Sequence, residues 1–315
     1  MLKINFTDFW PGFEKENNYF YNLLSRHYEV QISDEPELLF FSCYGDAYLR
    51  YKCTRIFYSS ENERPDFSGC DYALTFDFLD HPRHFRLPLY GVYIEQRNGL
   101  DSLLAPQTRE LAAAAWAKKT KFCCMVVSNG LSKKRIDFFH KLSSYRQVDS
   151  GGRYLNNIGG PVDDKLKFIN DYKFVIAFEN SAYPGYTTEK ILDPFFVKSI
   201  PVYWGNNLVG KDFNKKAFLD YSDFPDEEAL IQKMIEIEQN PELAVAMLCE
   251  PVFPKNTAPE YIDENRVLAF LKMIIENHKS LTPVSKTHQR FIHQVRRGLA
   301  FLTHYYKAAV NRNFR

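Results

Sequence analysis

Two short apolar runs, YKFVIAF (172–178) and SIPVYWG (199–205), bracket a segment long enough for one helix. That spacing constrains the chain more than any other feature. Buried strands of this length joined by a helical crossover form a parallel pair, and the crossover is right-handed. The pattern recurs upstream. Leu2, Ile4 and Phe6 alternate in LKINFTDF (2–9), and ELLFFS (37–42), TRIFYSSEN (54–62) and DYALTFDF (71–78) read as three further strands. Residues 13–27 have amphipathic helical spacing. TRELAAAAWAKK (108–119) is a helix by its alanine content, and KFCCMVVSN (121–129) a buried strand. SKKRIDFFHKL (132–142) follows as a helix capped by Ser132. Residues 226–239 and 260–277 read as helices, the first stopped at Asn240-Pro241. Two successive α/β sheets account for this order, with a boundary expected near residue 120 and a separate tail from 284.

Composition narrows the class. With 315 residues, 45% hydrophobic and 25% charged, the chain suits two ordinary globular domains. No apolar run approaches the length of a membrane span, and no signal peptide is expected. Six cysteines without a C-x-x-C pair predict free thiols and a cytoplasmic protein. His81 and His84 flank a proline and lack partners at zinc spacing, so no metal site is expected. Charge is uneven. Residues 284–315 hold seven basic and no acidic side chains, leaving 33 basic against 39 acidic in the rest. Phe291, Ile292, Val295, Leu299, Leu302 and Tyr306 fall near helical spacing there. The tail therefore reads as a basic amphipathic helix for an anionic membrane, with docking on the acidic body as the alternative. No motif supports nucleic-acid binding.

Chemistry concentrates between the two opening runs. In FENSAYPGYTTEKI (178–191), Glu179 and Asn180 end a strand, and Thr187-Thr188-Glu189-Lys190 open the next helix. The carboxyl end of a parallel strand is where such sheets take ligands. A lysine in a first helical turn is unfavourable unless an anion is near, which suits a phosphate. Singly, each residue has a plainer reading: Lys190 solvated, Glu189 a favourable first-turn acid, Asn180 a turn former, Tyr186 packed on the helix. Together at one strand-to-helix junction they read as a site.

FENSAYPGYTTEKILDPFF and IPVYWG resemble the signature of the α1,3/4-fucosyltransferases of glycosyltransferase family 10. The likeness is strong over 121–224, recognisable over 54–90 and thin over 91–120 and the tail. It implies two Rossmann-like domains facing across a cleft, the GT-B arrangement, 1–120 on the acceptor side and 121–283 binding GDP-fucose. It implies inverting transfer of L-fucose to O3 of N-acetylglucosamine or glucose in a lactosamine-type glycan, with a Lewis-x-like product. The alternatives are a different acceptor, an α1,4 linkage, or a non-catalytic glycan-binding protein. By resemblance Asn180, Tyr186, Glu189 and Lys190 fall on donor-site positions, Arg135 on the arginine that pairs with the pyrophosphate, and Glu61 on the catalytic base. Glu189 would also favour positive charge developing on the sugar. Ser128, Asn129, Arg153 and Tyr183 are further donor-side candidates, and Trp10 and Glu63 acceptor-side ones. Arg153 lies in SGGRYLNNIGG (150–160), which reads equally as a phosphate-binding loop or a plain turn. No Asp-x-Asp pair occurs, so no cofactor is expected, and a divalent metal such as Mn2+ would at most stimulate. Pro194 departs from the family pattern and predicts a kink. A member of this family acting on lipid-linked glycans would work at the inner face of the cytoplasmic membrane.

Overall fold

Every strand pairing in the computed structural model, which describes residues 1–297 and 299, is parallel. The first sheet holds β1 (Leu2–Thr7), β2 (Val30–Ile32), β3 (Leu38–Phe41), β4 (Thr54–Tyr58), β5 (Tyr72–Thr75) and β6 (His84–Arg86), in the order β2-β1-β3-β4-β5-β6. Four of these are the expected strands. β2 and β6 are three-residue edge strands, too short to show a period. The helix expected over 13–27 is confined to Tyr19–Ser25, because Asn18 caps it by accepting from the Tyr21 N–H at 3.0 Å. Phe20 from this helix stacks on Phe40 of β3 at 5.0 Å, and Phe9 stacks on Phe13 at 4.1 Å.

The second sheet holds β7 (Lys121–Met125), β8 (Val148–Ser150), β9 (Tyr172–Phe178), β10 (Ile200–Trp204) and β11 (Leu219–Asp220), ordered β11-β10-β9-β7-β8. The two opening runs are thus neighbours, β9 and β10. Phe138, Phe139 and Leu142 of the helix Lys133–Ser143 are buried with Phe174, Ile176 and Phe178 in this unit's core.

The chain divides differently from expectation. Among the described residues, one unit comprises 1–75, 79–87 and 264–297; the other comprises 76–78 and 88–263. The boundary at 120 fails because Trp116 is 4% exposed and meets Phe174 edge-on in the second core. Phe270 of the helix Glu264–Asn277 packs on Tyr72 and Phe85 of the first sheet. The tail is not a separate segment either, where described. The Val284 N–H donates to Asp71 at 2.8 Å, the Ser285 hydroxyl donates to the Cys53 carbonyl, and residues 289–297 form a helix whose His293 is buried against the first unit. Leu302 and Tyr306 lie outside the described residues. Asn240-Pro241 ends one helix and also starts the next, Pro241–Cys249, with Asn240 as its cap. Pro194 makes no kink to report: it is the third residue of the helix Leu192–Phe196, where the missing N–H costs nothing. All six cysteines are free.

Candidate functional site

β9 ends at Phe178, and the next residue, Glu179, is fully buried. A buried carboxylate has to be paired. One Glu179 oxygen accepts from the Thr188 N–H at 2.7 Å, the other from the Thr188 hydroxyl at 2.8 Å and from the Lys190 ammonium at 3.2 Å. Lys190 also donates to the Thr188 hydroxyl at 2.9 Å and stands 3.9 Å from Glu189. The anion that a first-turn lysine calls for is therefore partly internal. Burial alone would lower the Lys190 pKa, but the charges of Glu179 and then Glu189 outweigh it and hold the ammonium above its ordinary range. Burial likewise opposes ionisation of Glu189, and Lys190 reverses this and holds its carboxyl low. The expected helix start is a 3-10 turn, Glu189–Ile191, followed by the five-residue helix Leu192–Phe196. So short a helix contributes little dipole, and positive charge at this end of the sheet rests on side chains.

Gly205, straight after β10, makes room for this cluster. A Cβ there would sit 2.5 Å from Cγ of Glu179, and the residue holds φ +153°. Asn206 ties the intervening turn: its carbonyl accepts from the Gly185 N–H at 2.6 Å and its amide donates to the Thr187 hydroxyl at 3.0 Å. Glu179, Gly205 and Asn206 organise the site without being among the expected site residues. The signal for Glu179 was present in its position, an acid directly after seven strand residues.

Arg135 reaches the same strand end. It lies on the buried face of its helix and is 1% exposed. It donates to the Phe178 carbonyl at 3.2 Å, to the Asn180 side-chain carbonyl at 3.2 Å and to the Asn129 carbonyl at 3.3 Å. Burial lowers its pKa, against the raising effect of the Glu179 charge. Asn180 and Asn129 are thus joined through one guanidinium. Tyr186 is 1% exposed with its ring edge-on to Phe76 at 5.0 Å, so it is packed away and offers no face for stacking. Tyr183 is exposed. Ser128 and Arg153 are exposed. The 150–160 loop folds back on β7, with Gly151 donating to the Met125 carbonyl and Tyr154 to the Val127 carbonyl, which uses two of its N–H groups.

Glu61, in the first unit, is half-buried beyond β4. Its backbone is held by Ser59, whose hydroxyl accepts from the Glu61 N–H and donates to its carbonyl, both at 3.0 Å. Its carboxylate accepts from the Tyr44 hydroxyl at 2.9 Å. Burial and then the Glu61 charge push the Tyr44 phenol up, so it stays a donor. Glu63 is exposed two residues on. Trp10 is half-buried, edge-on to Phe13 at 5.1 Å within the aromatic cluster. His81 stacks on Phe67 and His84 bonds Thr75. Among the described residues no three His, Cys, Asp or Glu side chains are grouped to hold a metal ion.

Fold and site together place the chain with the GT-B class of transferases, two α/β units each built on a parallel sheet. Residues 4–93 match the alpha-(1,3)-fucosyltransferase FucT N-terminal domain, and residues 116–246 match the glycosyltransferase family 10 (fucosyltransferase) C-terminal domain. The chain belongs to glycosyltransferase family 10. Alpha-(1,3)-fucosyltransferase FucT of Helicobacter pylori is 32% identical over 316 residues, covering 88% of this chain and 66% of that one. Alpha-(1,3)-fucosyltransferase B of Drosophila melanogaster is 33% identical over 202 residues, covering 58% of this chain and 45% of that one. The chain thus spans about two thirds of the first relative's length and less than half of the second's. A crystal structure of an alpha1,3-fucosyltransferase with GDP-fucose superposes with a TM-score of 0.75 at 30% identity, covering 88% of this chain and 90% of that one.

Proposed function

We propose that this protein transfers L-fucose from GDP-fucose, with inversion, to O3 of N-acetylglucosamine or glucose in a lactosamine-type glycan. The observation that carries the reading is the Glu179–Thr188–Lys190 cluster, joined at the end of β9 by Arg135 and Asn180, in a chain of this family. As the bond between fucose and GDP breaks, negative charge grows on the pyrophosphate. Lys190 keeps its charge across the physiological range and is 20% exposed, so it can meet that charge. Two of its three N–H donors are fixed by Glu179 and Thr188, which orients the ammonium before a ligand arrives. A preorganised cation of this kind needs no reorganisation during the reaction. Arg135 positions Asn180 and adds its charge from the interior. Glu61 takes the proton from the acceptor hydroxyl, and Glu189 accepts from donor hydroxyls.

Cations of the chain fill the place a metal would otherwise take, so turnover should survive EDTA. The test is incubation with GDP-fucose and lactose, type 1 or type 2 lactosamine, with and without EDTA, with products read by mass and linkage. A gain of one deoxyhexose at O3 of type 2 lactosamine supports the reading. Absence of both transfer and GDP-fucose binding removes it.

The same reading places the enzyme peripherally on an anionic membrane. No helix among the described residues is long and apolar enough to cross one. Its support is the outer face of the 289–297 helix and the residue after next, where Phe291, Val295 and Leu299 are 70%, 44% and 59% exposed. Phe291→Ser with Val295→Ser should abolish co-sedimentation with anionic liposomes; unchanged sedimentation removes this part.

A further inference from the structure

The second unit has a cavity at the end of its sheet away from the Glu179–Lys190 cluster. Glu179 and Gly205 directly follow β9 and β10, at the carboxyl ends. Ser199, which precedes β10, and Ala217, two residues before β11, line the cavity at the amino-terminal ends. The five residues of β10 separate the two places by about 17 Å. The cavity measures about 280 Å³, room for roughly ten non-hydrogen atoms. It lies where the unit's two apolar cores meet: Phe195, Ala217 and Val252 belong to one, and Met247 and Leu248 pack on the other. Pro251 forces Glu250 into extended backbone at ψ 139°, which ends the helix Pro241–Cys249. The last turn of that helix, Met247 to Cys249, is only half-buried, so apolar faces stay open to the cavity.

One cation faces this apolar wall. Lys198 follows the helix Leu192–Phe196 in left-handed conformation, φ +55°. Its N–H donates to the Phe195 carbonyl at 3.2 Å, and the Ser199 N–H donates to the Pro194 carbonyl at 2.9 Å. This pair of bonds is a common helix ending, in which the left-handed place ordinarily falls to glycine. A lysine there strains the backbone, and helix capping does not account for it. The Val197 carbonyl at the cap already accepts from Lys119 at 2.8 Å, and a five-residue helix has little dipole. Among the described residues nothing pairs with the half-buried Lys198 ammonium. Burial pushes its pKa down and no neighbouring charge offsets this. The other charged side chain on the wall, Glu250, accepts from the Asn214 amide at 3.0 Å.

We propose that this cavity is a second ligand site, for a small monocarboxylate with an apolar body of about eight carbons, its carboxylate on Lys198 and its body against Phe195, Leu248 and Val252. A carboxylate supplies the partner that Lys198 lacks, and an apolar body suits walls with few polar groups. A phosphate would bring a second charge with no cation to meet it and Glu250 to oppose it. The inference stands apart from fucosyl transfer. It uses no residue of the donor cluster, and a failed transfer assay leaves it intact.

The experiment titrates the full chain with octanoate, and with 1-octanol and octylamine as uncharged and cationic matches, following binding by ligand-observed NMR. Octanoate should bind with a Kd of about 1 mM or tighter, within reach of a ligand this small. Octanol should bind about tenfold more weakly, and octylamine more weakly still. Lys198→Gly should weaken octanoate about tenfold, to the level of octanol, and leave octanol unchanged. Glycine fits φ +55° better than lysine, so this variant should melt no lower than the wild type, and its loss of binding is not unfolding. Lys198→Arg should keep octanoate binding, Glu250→Gln should strengthen it, and Leu248→Trp, which fills the cavity, should exclude octanoate and octanol alike. Equal binding of octanoate and octanol by the wild type overturns the proposal, as does undiminished octanoate binding in Lys198→Gly. No saturable binding of octanoate at about ten times the expected Kd does the same.

Discussion

At the scale of the residue, the roles divide between groups held ready and groups that hold them. Glu61 belongs to the first kind. Its backbone is pinned by Ser59 and its carboxylate touches Tyr44. Glu61→Gln keeps the shape and removes the carboxylate proposed as the proton acceptor. Turnover should fall about 10²–10⁴-fold, the usual worth of a general base, with GDP-fucose affinity unchanged by calorimetry. Normal turnover in this variant would show that another group takes the proton. Lys190 was legible in the sequence as a misfit, a cation at a helix start. What the sequence could not supply was Glu179 as its partner, because that pairing depends on Gly205 yielding space across two neighbouring strands.

At the scale of the element, one buried lysine links three pieces of the second unit. Lys119, just past the helix Arg109–Lys118, is 4% exposed. Its ammonium donates to the Asn170 carbonyl at 2.9 Å and the Val197 carbonyl at 2.8 Å, the caps of the helices Lys165–Ile169 and Leu192–Phe196. Burial pushes its pKa down to about 8. The unfolded chain keeps this proton to about pH 10.5. Between those values the unfolded state binds more protons, so stability contributed by this group rises with pH across that window, by on the order of 3 kcal/mol. Below pH 8 the cost of burying the charge is present in full. Urea unfolding from pH 7 to 10 should show wild type gaining on Lys119→Met over that range; parallel curves would mean the lysine titrates normally. The central strands were readable because buried runs of four to seven residues bounded by polar turns have few other uses. β2, β6, β8 and β11, two or three residues each, were not, since their pairing is set by neighbours in the sheet. The start of the first helix shifted because the Asn18 cap decided it, whereas the stop expected at Asn240 held.

At the scale of the molecule, the order of elements suggested a boundary near 120, while packing places the crossing at 87 and brings the chain back to the first unit at 264. Only Ala112 and Trp116 of the alanine-rich helix are buried, so its sequence gives little sign of which core it joins. Truncation tests the return directly. Removing everything after Asp263 exposes Tyr72 and Phe85, strips Phe270 from them and removes the Val284 donor from Asp71. That variant should lose the cooperative melting of the first unit in calorimetry while the second unit still melts. Unchanged melting of the first unit would count against the assignment of 264–297 to it.

The broken path of the first unit also bears on how the chain is made. A ribosome releases residues in order, and domains whose segments are contiguous can fold as they emerge. Here residues 88–263 are continuous, whereas the six-stranded sheet that begins at Leu2 waits for Phe270, Val284 and His293. The half translated first is therefore completed last, and for most of synthesis its nascent strands stand uncovered. A cell producing this protein should see its yield depend on holdase chaperones acting on the amino-terminal segment, and a slow-codon pause is better tolerated once residues 264–297 have emerged than before.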